Sequence, residues 1–143
     1  GNYPKFHKMD ILCQLGFIAT ELLLLSEAET RFKERDDRAV ILFGLNSSYY
    51  TDVQYQKTIS DKDNYFPSPS LFVYTLPNIV TGEIALRNNY HGETSYIVVE
   101  NKQQMDWHID TLTKTSTSFN SMICGWIDAK GKNDFEAELW IVE

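Results

Sequence analysis

The sequence predicts an α/β domain: one mixed β-sheet with helices packed on it, ending in an antiparallel hairpin. Three observations carry this expectation. Ala39-Val-Ile-Leu-Phe43 and Thr94-Ser-Tyr-Ile-Val-Val99 are short apolar runs, the pattern of strands buried on both faces. Apolar residues recur at helical spacing in the segments around them. After residue 120, two more strand-like stretches are separated by the polar turn Ala129-Lys-Gly-Lys-Asn-Asp134, which has the length and composition of a hairpin loop.

Taken in order, Ile11, Leu15, Ile18, Ala19, Leu22 and Leu23 define the inward face of a first helix, and Lys8, Asp10, Gln14 and Glu21 fall largely elsewhere. Ser26 to Thr30 blurs its end, and the charged run Arg31 to Arg38 reads as a solvated connector. Ala39–Phe43, bounded by that charge and by Gly44-Leu-Asn-Ser-Ser48, is expected to be a central strand. Tyr49 to Ser60 has modest helical spacing, and Asp61-Lys-Asp-Asn64 is turn chemistry. A further helix is expected from Ser68 through Phe72, Leu76, Ile79, Val80 and Ile84. It contains Pro77, whose lost hydrogen bond costs about 3 kcal/mol and must be offset by tertiary packing. Gly82 offers a place for close approach of a neighbour. Strand 94–99, a helix over Met105–Lys114 with Met105, Ile109 and Leu112 inward, strand Ser121–Ile127 and strand Phe135–Val142 complete the order.

The chain has 143 residues, of which 43% are hydrophobic and 13% aromatic, enough for the core of one domain spanning 1–143. Its net charge of −7 and lack of a Lys/Arg cluster argue against nucleic acid as a partner. The apolar run Ile11–Leu25 is too short and too interrupted to cross a bilayer, and no secretory signal is visible. Cys13 and Cys124 stand far apart in apolar surroundings and read as buried thiols, which suits a reducing cytoplasm. Their spacing fits no zinc or redox motif, so no metal or other cofactor is expected. Gly1 reads as a cloning remnant, with the natural chain beginning further upstream.

Few residues carry the types and spacings that chemistry needs. His91, in the turn Asn88-Asn-Tyr-His-Gly92 with Glu93 two residues on, has the make-up of a general base, although a surface turn is the plainer reading. Asn46-Ser47-Ser48 follows a buried strand, where open sheets place ligand loops, but lacks the Gly-x-Ser-x-Gly turn of a nucleophile elbow. Asn46, Ser47, His91 and Glu93 together form one candidate pocket. His108, between Asp106 and Asp110, has no metal-ligand spacing and reads as a solvated helix face; His7 lies near the terminus. The aromatic concentration that includes Tyr65, Phe66, Phe72 and Tyr74, with Pro67 and Pro69, suits an apolar groove or a protein interface.

The stretch Tyr65-Phe-Pro-Ser-Pro-Ser-Leu-Phe-Val-Tyr-Thr-Leu-Pro-Asn-Ile-Val-Thr-Gly-Glu-Ile-Ala-Leu-Arg87, followed by His91-Gly-Glu-Thr-Ser95, resembles the segment of β-ketoacyl synthases that leads to their nucleophilic cysteine. Cys124-Gly-Trp-Ile-Asp128 and Ala137-Glu-Leu-Trp-Ile-Val-Glu143 are similar to the family's "Gly-Gly-x-Asp" strand and its return strand. The resemblance implies the N-terminal half of a thiolase-like fold. That half normally opens with a strand ahead of Met9. Here that strand lies upstream, or the extended Asn2-Tyr-Pro-Lys-Phe6 replaces part of it, or the sheet closes with fewer strands.

In the family an "Ala-Cys-Ser"-like elbow ends the strand that here reads Val98-Val99-Glu100-Asn101-Lys102, so the nucleophile is missing. The two histidines of the family's second half have no counterpart either. What the resemblance implies is therefore a non-catalytic, ketosynthase-like accessory or interaction protein of fatty-acid or polyene assembly. Its expected partners are a second copy of the chain, a true ketoacyl synthase or an acyl carrier protein. Tyr65, Phe66, Pro67, Phe72, Tyr74, Pro77 and Asn78 match the family segment near the dimer contact and acyl pocket, and are the candidate groove or interface. The alternative is an acyl-thioester-binding protein or hydrolase built on the pocket near Ser47 and His91.

Overall fold

A computed structural model of the chain describes residues 3–46, 56–57, 79–116, 118–131 and 133–143. Apart from Gln56 and Lys57, the helix expected over Tyr49–Ser60 lies outside the described residues, as does the expected helix from Ser68 to Asn78. The elements are α1 (Ile11–Leu23), β1 (Arg38–Gly44), α2 (Ile79–Asn88), β2 (Thr94–Val98), α3 (Lys102–Thr115), β3 (Ser121–Gly131) and β4 (Asp134–Val142). Short 3-10 turns at Pro4–Lys8 and Leu24–Glu27 flank α1. Residues 4–8 are thus not part of an extended segment, and among the described residues the sheet has four strands.

The strand order is β2-β1-β3-β4, with β1 parallel to both β2 and β3, and β4 antiparallel to β3. This is the expected mixed sheet with a C-terminal hairpin. Every residue of β1 is buried, because helices cover the sheet on both sides. Val40 and Leu42 join Ile123 and Ile127 beneath α1 and α2. Ala39, Ile41 and Phe43 face the other way, with Met122, Cys124 and Trp126, onto Met105 and Ile109 of α3. The hairpin is tighter than its composition suggests. Its strands run on to the pair Gly131↔Asp134, past an irregularity between Ala129 and Gly131.

Helix α1 starts where Asp10 accepts a hydrogen bond from the Cys13 amide (3.0 Å), an N-cap. Its buried face differs from the expected one. Leu12, Cys13, Gly16, Phe17 and Thr20 point inward, whereas Ile18 and Leu22 are exposed. The helix is apolar almost all round, so its small residues decide the contact. A Cβ on Gly16 would lie 2.5 Å from a Val80 methyl, and α1 and α2 meet there. Close approach therefore occurs at Gly16 and not at Gly82, where a Cβ would meet nothing within 4 Å.

The charged run before β1 is also not wholly solvated. Arg38 is completely buried, and all five guanidinium N–H groups have acceptors. Nε donates to Ser121 Oγ (3.0 Å), and Nη1 to Glu27 Oε1 (2.7 Å) and the Tyr90 hydroxyl (3.1 Å). Nη2 donates to Glu27 Oε2 (2.9 Å) and Glu143 Oε1 (3.2 Å). Burial opposes the charge, but the hydrogen bonds with Glu27 and Tyr90 outweigh it and hold the guanidinium protonated above even its usual range. The hydrogen bond from Arg38 in turn holds Glu27 below the usual carboxylate range. One side chain thus ties the end of the Leu24–Glu27 turn, β1, the connection between α2 and β2 at Tyr90, the start of β3 and Glu143.

Truncating Glu27 leaves a buried cation without its bidentate partner, a loss of about 3 kcal/mol or more. Glu143 is largely exposed, so Glu143→Ala should cost only about 0–1 kcal/mol. Urea denaturation at neutral pH should show this order; equal losses would contradict it. Because the folded-state pKa of Glu27 is depressed, its contribution is present above the ordinary glutamate range and is lost as pH falls through the depressed value. The gap between the wild type and Glu27→Ala should therefore close in acid.

Candidate functional site at the carboxyl end of the parallel strands

Open sheets bind ligands beyond the carboxyl ends of parallel strands. Since β1, β2 and β3 run the same way, Leu45-Asn46, Val99-Glu100-Asn101 and Asp128 emerge at one end. Gly44 allows this end to close. The Tyr96 side chain crosses β1 at that glycine to donate its hydroxyl hydrogen bond to the Ile127 carbonyl (3.0 Å), and a Cβ on Gly44 would overlap both groups. Just beyond, the Asp128 carboxylate accepts from the Asn46 amide (2.8 Å) and from Asn46 Nδ2 (2.6 Å), clasping the loop after β1 to β3. Beside this clasp an open cleft of about 320 Å³ is lined by Leu45, Trp126, Asp128, Lys130, Asp134, Phe135 and Glu136.

Val99 to Asn101 form a sharp strand-to-helix elbow. Asn101 is the N-cap of α3, its side chain accepting from the Gln104 amide (2.9 Å), while Gln104 Oε1 reaches back to the Glu100 amide (2.9 Å). Glu100 is exposed. Lys102, the first residue of α3, pairs with Glu136 Oε2 (3.2 Å) and lies over the Trp126 ring, and Trp126 Nε1 donates to Glu136 Oε1 (2.9 Å). The turn therefore carries a carboxylate and a capping amide. These can bind and orient polar groups; neither is a thiol or a hydroxyl nucleophile.

Neither cysteine stands at the elbow. Cys13 is buried on α1, where desolvation and then nearby Asp10 push its thiol well above the usual range. Cys124 is buried in β3, pushed up to about 12 by burial alone. A thiol so placed stays protonated and inert at neutral pH.

Of the candidate pocket Asn46, Ser47, His91 and Glu93, the structure places Asn46 apart from His91 and Glu93. The Glu93 carbonyl accepts from the Val40 amide (2.8 Å), so His91 and Glu93 lie at the amino end of the parallel strands. Asn46, in the loop after β1, is six residues on from Val40, about 20 Å at roughly 3.3 Å per residue. Ser47 lies outside the described residues. His91 faces Glu34 (3.4 Å) across the sheet margin. The candidate groove residues Tyr65, Phe66, Pro67, Phe72, Tyr74, Pro77 and Asn78 also lie outside the described residues. His108 is half-buried, its ring 6.0 Å from that of Phe43, and is not simply a solvated position. The Asn46–Asp128 clasp and the Lys102–Glu136–Trp126 cluster were not legible as sites, since each joins residues far apart in sequence; Asn46 drew notice as part of another pocket, and Lys102, Trp126 and Asp128 only within family-like segments.

No protein-family model and no curated protein sequence matches the chain. Solved structures do match in fold, two of them as follows. The ishigamide ketosynthase/chain length factor superposes with a TM-score of 0.73 over 95% of this chain at 15% identity. A ketosynthase (ApeO) in complex with its chain length factor (ApeC) from Xenorhabdus doucetiae gives 0.66 over 90% at 13% identity. The fold is ketosynthase-like. The chain spans 44% and 51% of the length of those two chains. Within this ketosynthase-like half-fold, the elbow between β2 and α3 stands where the sequence resemblance aligns the family's nucleophile turn. No helix among the described residues is long and apolar enough to cross a membrane.

In the native protein neither thiol should react with a thiol-specific reagent such as iodoacetamide, and both should react once the chain is unfolded in guanidinium. Mass spectrometry reads the count directly; one rapidly labelled cysteine under native conditions would contradict the burial described.

Proposed function

We propose that this chain is a non-catalytic, ketosynthase-like protein that works by association with another ketosynthase-type chain, in fatty-acid or polyene assembly. The observation that carries this reading is the elbow at Glu100-Asn101. Thioester condensation requires a thiolate to hold the acyl group, and here a helix cap stands at the aligned position while both thiols are buried elsewhere. Support comes also from the fold neighbours, whose descriptions pair a ketosynthase with a chain length factor. On the elbow side, Val98 is 55% and Trp107, on α3, 64% exposed. Large aromatic residues of this kind are common anchors of protein interfaces. The companion is a second copy of this chain or a catalytically competent ketosynthase, and an acyl carrier protein would be met by the assembly.

Sedimentation velocity at tens of micromolar tests the reading, with the chain alone and mixed with a ketosynthase from the same source. A dimer or a mixed complex is expected, and Trp107→Asp should weaken it about tenfold or more without changing the thermal midpoint. A strictly monomeric particle in both samples would overturn the proposal.

A further inference from the structure

At the end of the sheet opposite the elbow, Glu34, Asp36 and His91 bring two carboxylates and an imidazole together, with their ligand atoms all within 4.8 Å of one another. The backbone sets this arrangement. Arg35 pairs with Tyr90 as an isolated parallel bridge, the Arg35 amide donating to the Asn89 carbonyl (3.0 Å) and the His91 amide to the Arg35 carbonyl (2.8 Å). Side chains alternate across extended backbone. Glu34 and Asp36, flanking Arg35, therefore share a side with His91, which follows Tyr90. Arg35 turns away and is committed to Asp37 through two contacts of 3.1 Å. Tyr90 likewise turns inward to Arg38. Among the described residues no lysine or arginine pairs with Glu34 or Asp36, so two carboxylates converge on a space where the nearest counter-group is an imidazole.

We propose that Glu34, Asp36 and His91 form a binding site for a divalent first-row transition ion, best matched by zinc. The donor set is mixed oxygen and imidazole nitrogen, which suits borderline ions; calcium and magnesium favour all-oxygen shells. Ligands about 2.1 Å from a tetrahedral zinc stand roughly 3.4 Å apart. His91 Nε2 and Glu34 Oε1 are 3.4 Å apart. All three side chains are exposed, so Asp36 closes the remaining gap by a rotamer change, and water fills the fourth position. The ion would tie the connector before β1 to the lead-in of β2. This site is independent of the elbow and of the association reading.

The test uses tag-free full-length chain stripped with EDTA and titrated with zinc chloride, followed by calorimetry and by NMR of the three imidazoles. Saturable 1:1 binding is expected, with the His91 resonances shifting and those of His7 and His108 unmoved. His91→Ala and Asp36→Asn should each weaken binding by roughly 10- to 100-fold, the scale seen when even supporting groups of a metal site are removed. Glu93→Gln should bind as the wild type does. The same NMR spectra report whether each variant is folded. Absence of saturable 1:1 binding, shifts at His7 or His108 in place of His91, or unchanged affinity in folded His91→Ala would overturn the proposal.

Discussion

The buried guanidinium of Arg38 is the constraint on which the rest of the fold depends. A charge with no solvent contact is tolerable only when every donor is matched, and here the five acceptor contacts come from four residues far apart in the chain. Satisfying them fixes the amino end of β1 against that of β3 and sets the turn after α1 and the chain's last residue around it. With that end fixed, the register of β1 on β3 follows from Arg38↔Ser121 onward. A shift by one residue would place the Arg38 side chain in the apolar layer on the wrong face.

What is fixed at one end is presented at the other. The same register brings Gly44 under Tyr96 and sets Asn46 against Asp128, so the loops after the parallel strands are held by specific hydrogen bonds. The elbow between β2 and α3 belongs to this ordered end. In a condensing enzyme such a position would present a reactive group on the first turn of a helix, where the dipole favours an anion. Here Asn101 satisfies the helix terminus itself and Gln104 reaches back to Glu100. The helix start is thus used for its own capping, which is consistent with the proposed association role.

Much of the architecture was legible because β1 is buried on both faces and so reads as an unbroken apolar run, and because α3 and the hairpin carry clear periodic patterns. The presence of α1 was legible, but neither its end at Leu23 nor its buried face. Large aliphatic residues mark an inward face only when the opposite face is polar, and in α1 the small residues Cys13, Gly16 and Thr20 lie on the buried face, with the close approach at Gly16. Arg38 was hidden for a different reason: it closes a charged connector, and its partners lie between 11 and 105 residues away. The same distance in sequence hid the Asn46–Asp128 clasp and joined His91 to Glu34 and Asp36 in place of its sequence neighbour Glu93. The elbow was legible only through its likeness to a family segment, since a helix cap after a strand carries no chemical signature of its own.

The central claim is that this frame carries no acyl group on its own atoms. Intact-mass spectrometry of the native protein after incubation with a long-chain acyl-coenzyme A tests it most directly. The account predicts an unchanged mass over times sufficient for a ketosynthase control to be fully acylated. A stable acyl adduct on this chain, mapped to Cys13, Cys124 or any residue near the elbow, would contradict it.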